Sequence, residues 1–434
     1  MTCTTSMGTS ISLHQRHKRL WPGSQRSERR NMDLVPWLRD LQRHVSTWRS
    51  SSATPLPSQV ETESTGTGQD TWSLEADNEG HFPEHLVIMV NGLGGSPDDW
   101  KFAAEQLVKR FPDKVVVHRS QCNTAKLTYD GVDRMGERLA DEVRSLVEKR
   151  RGVIKISFVA HSLGGLIARY AIGILYAPET VSDNSLDELG PKGRIAGLEP
   201  INFITSATPH LGSRGNKQLP FLFGLSLLER TAVETAHLII GRTGRHLFLT
   251  DRDDGKLPLL VRIAEDQDDI KFISALRAFK RRVAYANASF DHIVGWRTAS
   301  LRRPHELPKQ LTHPYNGKYP NIANVENVDL DNCEKLENAV VARTDDVEGS
   351  NILEFFFSEK RIILLSHLMP LLICGLFAEK ITRGLTQVPW ERVDVKIKKC
   401  RLKYNAHNTI QVRKYFWNSD GADVIIHMID NFLV

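Results

Sequence analysis

Cysteine is scarce in this chain and scattered where it occurs. Cys3, Cys122, Cys333, Cys374 and Cys400 form no pair with metal-ligand or redox spacing. An odd, dispersed set argues against a disulfide framework and fits free thiols in a reducing compartment. Excess charge is missing too. A formal net charge of +5 over 434 residues is small, and no alternation of basic and aromatic residues accompanies it, so a nucleic-acid partner is not expected. The mildly basic surface reads as an ordinary solvated one, with attraction to anionic lipid headgroups as the alternative. No internal repeat is present. No apolar run reaches the ~20 residues needed to span a bilayer. The longest candidate, Arg361 to Phe377, is broken by His367 and Pro370 and reads as a buried or interfacial helix. The first thirty residues lack the apolar core of a secretory signal and carry no acid before Glu28. Such a composition suits an organelle transit peptide, a disordered tail, or an upstream extension with Met32 as an alternative start.

Apolar residues make up 41% of the chain, enough for a large core. Asp33 to Trp48 has the spacing of a short amphipathic helix, and the Ser/Thr/Gly-rich stretch from Ser50 to Gly80 reads as a flexible linker. Residues 1–80 are thus expected to be a tail and linker, and residues 81–434 the folded body. There the pattern alternates between strands and helices. Strands are expected over Leu86–Val90, Val115–His118, Val153–Val159, Leu198–Thr205, Arg281–Asn287 and Arg392–Lys398. Helices are expected over Pro97–Phe111, Asp130–Arg150 and Ala422–Leu433. This order implies an α/β fold with a mostly parallel central sheet and helices on both faces. Two insertions interrupt it. One, at about 213–260, is apolar with little strand character and reads as a helical cap over a site, or as a peripheral helical insertion. The other, at about 298–381, is irregular.

The most informative stretch is Ala160-His161-Ser162-Leu163-Gly164-Gly165. A β-branched run feeds into it and a helical pattern (Leu166, Ile167, Tyr170, Ala171, Ile174) leaves it. Strand, tight turn and helix with a serine at the turn is the geometry of a nucleophile elbow. Ala160 replaces the usual first glycine and Gly164 keeps the second. A serine hydroxyl is a weak nucleophile at neutral pH and needs a base, which in turn needs a carboxylate to orient it. In such a sheet the order is Ser, then acid, then His, each at a strand end. Asp291 follows the strand Arg281–Asn287, and His407 lies in the loop behind the last strand. His427 competes, but it sits inside the closing helix and reads as a packed histidine. His210, in Thr208-Pro209-His210, precedes Asp291 and is expected to line the site rather than act as its base. His161 neighbours the nucleophile, and its side chain is expected to point away from the reacting centre.

A developing oxyanion needs backbone N–H donors. One is assigned to Leu163. The other is assigned to Leu93, in the loop Val90-Asn91-Gly92-Leu93-Gly94-Gly95-Ser96, where glycines allow a sharp turn. Asn91, Gly92, His161 and His210 complete the expected substrate wall. No Gly-Lys-Ser/Thr or Gly-x-Gly-x-x-Gly follows this loop, which argues against a phosphate cradle.

Several stretches together resemble the plant branch of the putative serine esterase family, α/β-hydrolases related to lipid-droplet phospholipases and monoacylglycerol lipases. They are Met89–Gly95, Thr128–Ala140, Val159–Tyr170, Ala207–Gly212, Thr243–Asp251 and Asp291–Arg297. The resemblance runs from about Glu84 to Arg303 and resumes from Gly384 to the end. It implies hydrolysis of carboxylic esters of lipid-like substrates without metal or cofactor, with the family's serine at Ser162, its acid at Asp291 and its histidine at His407. Relatives often begin the oxyanion loop with His-Gly where this chain has Asn91-Gly92. Residues 351–376 depart from the polar linker expected there. The implied partner is a lipid or acyl ester, with peripheral contact to a membrane or lipid droplet. The implied location is intracellular, with a plastid as the alternative. Two other functions fit the same residues: acyl transfer to an acceptor other than water, and a non-catalytic hydrolase-fold module that binds a lipid or a partner.

Overall fold

Val-Val-Val at 115–117 and Leu-Val-Ile-Met-Val at 86–90 are β-branched or bulky runs that favour a strand buried on both faces. In the computed structural model they form the strands β3 (His85–Val90) and β4 (Val115–Ser120). The structure describes residues 60–65, 68–73, 83–150, 152–179, 193–213, 240–252, 255–311, 317–327, 369–397 and 405–434. The chain divides into two units, Met1–Ala53 and Thr54–Val434, and all described residues belong to the second.

The remaining strands are β1 (Val60–Thr65), β2 (Gly68–Ser73), β5 (Lys155–His161), β6 (Tyr176–Pro178), β7 (Gly193–Ile195), β8 (Glu199–Ser206), β9 (Arg281–Asn287), β10 (Ile322–Asn327) and β11 (Glu391–Val395). All but β6 and β7, which pair with each other, form one sheet in the order β1-β2-β4-β3-β5-β8-β9-β11-β10. The strands from β4 to β11 in that order run parallel. Antiparallel edges close both ends, β1 and β2 beside β4, and β10 beside β11. β3 lies between β4 and β5, so the chain leaves β3 first to one side and then to the other. This is the topological switch point, where the loops after β3 and β5 open a crevice at their C-terminal ends.

Alternating residues of β3 enter different cores. Leu86, Ile88 and Val90 pack with the helices α2 (Val132–Lys149), α3 (Leu163–Leu175) and α4 (Phe272–Ala278). Val87 and Met89 pack on the other face with α1 (Lys101–Arg110) and α6 (Ala422–Asp430). Each fully buried Leu, Ile or Phe contributes roughly 1.5–3 kcal/mol. The sheet sandwiched between helices, its strand order and the sharp turn after β5 define the α/β-hydrolase fold.

Three readings need correction or limits. Residues 60–73, read as linker, include β1 and β2, and β2 pairs with β4. Their sequences, Val-Glu-Thr-Glu-Ser-Thr and Gly-Gln-Asp-Thr-Trp-Ser, are mostly polar and give little apolar signal of a strand. The irregular insertion contains β10 and the helix α5 (Met369–Leu385). α5 buries Phe377, Ala378, Ile381 and Leu385 against the core. Gly384 sits so close to the Ala264 carbonyl that a Cβ there would lie 2.0 Å from its oxygen. No helix among the described residues is long and apolar enough to cross a membrane. The helix read over 33–48 and most of the apolar cap lie outside the described residues. The described end of the cap, helical over residues 240–247, docks on the start of α2: the Val132 N–H donates to His246 Nδ1 at 3.0 Å and the Gly131 N–H to Thr243 Oγ1 at 3.0 Å.

Candidate active site

The turn between β5 and α3 forces Ser162 to φ 54° and ψ −128°, a left-handed conformation that costs a non-glycine residue roughly 1–3 kcal/mol. The surroundings hold it there. The Ser162 N–H donates to the Ser206 carbonyl at 2.8 Å, and the Gly165 N–H donates to the Ser162 carbonyl at 3.1 Å. Gly164 is required by close approach, since a Cβ would stand 2.5 Å from the Val90 oxygen and 2.7 Å from the Asn91 oxygen. Ala160 meets no such limit: it is buried in register between Val90 and Thr205, and its methyl fits where the usual elbow pattern has glycine.

From this turn a line of hydrogen bonds runs across two loops. His407 Nε2 lies 3.0 Å from Ser162 Oγ, and His407 Nδ1 lies 3.0 Å from Asp291 Oδ2. All three side chains are buried. His407 stands on the one-turn helix Ala406–Thr409, behind β11. Asp291 follows β9. The two loops are joined by an antiparallel bridge between Asp291 and Asn405. Asp291 is tightly held: Oδ1 accepts the Ile293 and Val294 N–H groups at 3.0 and 2.9 Å, and Oδ2 accepts the Asn287 amide at 2.9 Å. Burial pushes its carboxyl upward. The charge and hydrogen bond of His407, with the Val294 N–H and the Asn287 amide, outweigh burial and hold the group below the usual carboxylate range. An ionised Asp291 fixes the proton of His407 on Nδ1 and leaves Nε2 to accept from Ser162. The arrangement can therefore remove a proton from a serine hydroxyl.

The loop after β3 is braced at several points. Asn91 is buried, and its amide donates to the Asn123 carbonyl at 2.9 Å. The Gly94 N–H donates to Thr128 Oγ1 at 2.9 Å. Asp99 accepts from the Ser96 N–H at 3.2 Å and from Arg413 Nε at 2.9 Å, tying this loop to the loop of His407. Gly92 passes so near this turn that a Cβ would stand 2.8 Å from Ser162 Cβ. Leu163 begins α3, where a helical N–H has no intrahelical acceptor.

Two of the expected wall residues lie elsewhere. His161 does not turn away. Its Nε2–H donates to the His407 carbonyl at 2.7 Å, and the two rings lie 4.7 Å apart. Burial, then the neighbouring His407, pushes its pKa well below the ordinary value, so the ring is neutral. Its place is against His407. His210 is fully buried, with Nε2 3.0 Å from Thr205 Oγ1 and its ring edge-on to Trp390 at 5.6 Å. The turn over 207–212, with Ala207 at φ 49° and Gly212 at φ 77°, swings it into the core. His427, the competitor, is bonded through Nδ1 to Tyr285 Oη at 2.9 Å. Sequence reasoning missed a buried support. Asp394 on β11 accepts from Trp296 Nε1 at 2.7 Å and from Arg302 Nη1 at 2.6 Å, and Arg302 also reaches Glu326 on β10 at 2.7 Å. This network anchors the segment that follows Asp291. An acid set between two valines, Val393-Asp394-Val395, was its signal.

A sheet of this order with a serine on a strained strand-to-helix turn belongs to the α/β-hydrolases. Residues 81–301 match the family described as "Putative serine esterase (DUF676)", and the chain belongs to that family. It is 34% identical over 223 residues to "Putative lipase ROG1" of Saccharomyces cerevisiae, covering 50% of this chain and 28% of the relative. It is 27% identical over 435 residues to "Putative lipase YDL109C" of the same yeast, covering 84% of this chain and 62% of the relative. The chain thus spans less than two thirds of the length of either. Among solved structures it is similar to the mature Bacillus licheniformis lipase BlEst2, at 16% identity and TM-score 0.29, covering 49% of this chain and 69% of that one. It is also similar to the Pyrococcus furiosus esterase PF2001, at 13% identity and TM-score 0.31, covering 56% and 77%.

Proposed function

We propose that the protein is a serine-dependent hydrolase of carboxylic esters with lipid-like acyl groups, working through an acyl-enzyme. The unbroken line from Ser162 to His407 to Asp291 carries this reading. In it, His407 Nε2 takes the Ser162 proton as Oγ attacks the acyl carbonyl, and Asp291 stabilises the imidazolium. The amides of Leu93 and Leu163 receive the oxyanion, each such donor being worth roughly 3–4 kcal/mol. His407 then protonates the departing alkoxide. In the second half it deprotonates a water that attacks the acyl-enzyme and releases the acid. Asn91 and Gly92 shape the oxyanion loop, and His161 holds the base. Membership of a serine esterase family and similarity to yeast proteins named as lipases support the lipid-like substrate. A peripheral place at a membrane or lipid droplet is part of the same reading.

The test is labelling with a fluorophosphonate probe together with turnover of a series of acyl esters. Labelling and turnover are expected in the wild type and lost in Ser162→Ala, with long acyl chains preferred. Well-folded protein without Ser162-dependent labelling would contradict the catalytic reading and favour a binding module. A preference for very short soluble esters would contradict the lipid-like substrate. Transfer to an added alcohol in place of release of the acid would identify acyl transfer instead.

A further inference from the structure

Among the described residues, ten large apolar side chains are exposed, and their placement is uneven. Six of them, Leu127, Phe290, Ile293, Tyr415, Phe416 and Trp417, stand on loops that carry or brace the candidate site. Phe290 and Ile293 flank Asp291. Leu127 lies on the turn whose Thr128 and Ala125 hold the oxyanion loop. Tyr415, Phe416 and Trp417 form a consecutive run on the one-turn helix Tyr415–Asn418, eight residues beyond His407, and are 54%, 68% and 47% exposed.

This run is ordered from below. Tyr415 stacks on Phe102 at 5.0 Å, and Phe416 and Trp417 meet edge to face at 4.8 Å. The buried Asn418 accepts the Lys414 N–H at 3.1 Å and donates to Thr409 Oγ1 at 3.1 Å, while Arg413 is paired with Asp99. The turn is therefore fixed to the loop of His407 and to the start of α1. Three aromatic rings held toward solvent by a rigid turn are costly in water and suit an interface that is apolar on one side and wet on the other. Lys414 and Lys101, both exposed, adjoin the run and the ring of Phe102. The exposed acid near Lys101, Asp98 on the turn Pro97–Trp100, lies 3.9 Å from Arg119. The net local charge complements anionic headgroups.

We propose that Lys414-Tyr415-Phe416-Trp417 docks the protein on an anionic phospholipid surface and sets the mouth of the Ser162 site against it. This rests on the esterase reading for its purpose, but its test does not need catalysis. Ser162→Ala protein is sedimented with vesicles of phosphatidylcholine containing phosphatidylserine, with and without the added substitutions Phe416→Ser and Trp417→Ser. Removing two apolar anchors is expected to weaken partitioning at least tenfold, about one decade per 1.4 kcal/mol of lost burial. High salt is expected to weaken it further. Lys414→Glu, which leaves the aromatics in place, is expected to lower binding to the anionic vesicles but not to pure phosphatidylcholine. In the Ser162 background the double variant is expected to turn over a soluble short-chain ester at the wild-type rate, which also reports its folding. Equal sedimentation of the Ser162→Ala protein with and without the double substitution would overturn the proposal. So would a change from dimer to monomer caused by the double substitution, since the run would then be an interface between copies. Loss of Ser162-dependent turnover in the wild type would fail the esterase reading alone.

Discussion

Replacing Asp291 by Asn should nearly abolish turnover while leaving the fold in place, for reasons visible in its four hydrogen bonds. Oδ1 accepts two backbone N–H groups, from Ile293 and Val294, and only an oxygen can serve there. Asparagine must therefore put its NH2 where Oδ2 now meets His407 Nδ1. A donor facing Nδ1 makes that nitrogen the acceptor and moves the imidazole proton to Nε2. Nε2–H then donates to Ser162 Oγ and cannot take its proton. The expected loss in kcat is about 10⁴-fold, equivalent to roughly 5.5 kcal/mol of barrier. Stability should change little, because Asn287 can compensate. Its Oδ1 is buried without a partner, so its amide can flip and accept from the new NH2. The assay is kcat and KM on a soluble ester beside thermal unfolding of both proteins. A folded Asp291→Asn protein with kcat within tenfold of wild type would refute the assignment of the acid and the tautomer argument with it.

Other substitutions read other parts of the site. Gly164→Ala should prevent folding or lower stability by about 3 kcal/mol or more, since its Cβ meets the fixed carbonyls of Val90 and Asn91; wild-type unfolding temperature would contradict the packing at the turn. His161→Phe keeps the ring but removes the N–H to the His407 carbonyl, and kcat is expected to fall roughly 10–100-fold, or about 1–3 kcal/mol, with KM little changed. Asp394→Ala leaves the fully buried Arg302 without its strongest partner, and a loss of roughly 3–5 kcal/mol in urea unfolding is expected. Acid should weaken the fold before carboxylates titrate. Burial, with Lys155 nearby, lowers His85 from 6.5 to about 3. The folded state then binds fewer protons than the unfolded one below pH 6.5, so this contribution is fully present above pH 6.5 and declines as pH falls toward 3. At pH 5 the cost is on the order of 2 kcal/mol. His85→Asn should flatten the fall in unfolding temperature between pH 6.5 and 5.

The buried strands were legible because strands covered on both faces carry an apolar run, and Arg281–Asn287, with Val283-Ala284-Tyr285-Ala286 at its centre, was bounded correctly from its pattern. The edges were not. β10, Ile-Ala-Asn-Val-Glu-Asn, keeps only Ile322 buried, and strands held mainly by backbone pairing leave little apolar signal. The residues now joined by hydrogen bonds around Ser162 were named from motif and chain order, because each must follow a strand end. The histidines were harder. Which way His161 and His210 face depends on positive-φ turns at Ser162 and Ala207, residue types that give no hint of such a conformation. The anchoring of Asp394 by Arg302 joins positions 92 residues apart, beyond any local pattern.

In the proposed reaction Ser162 carries the acyl group during turnover. Acid quenching within the first turnover, followed by mass analysis of the peptide that contains residue 162, tests it directly. A mass increase equal to the acyl group is expected on Ser162, absent in His407→Gln. Acylation of a different residue, or product release from an unmodified Ser162 at every time point, would contradict it.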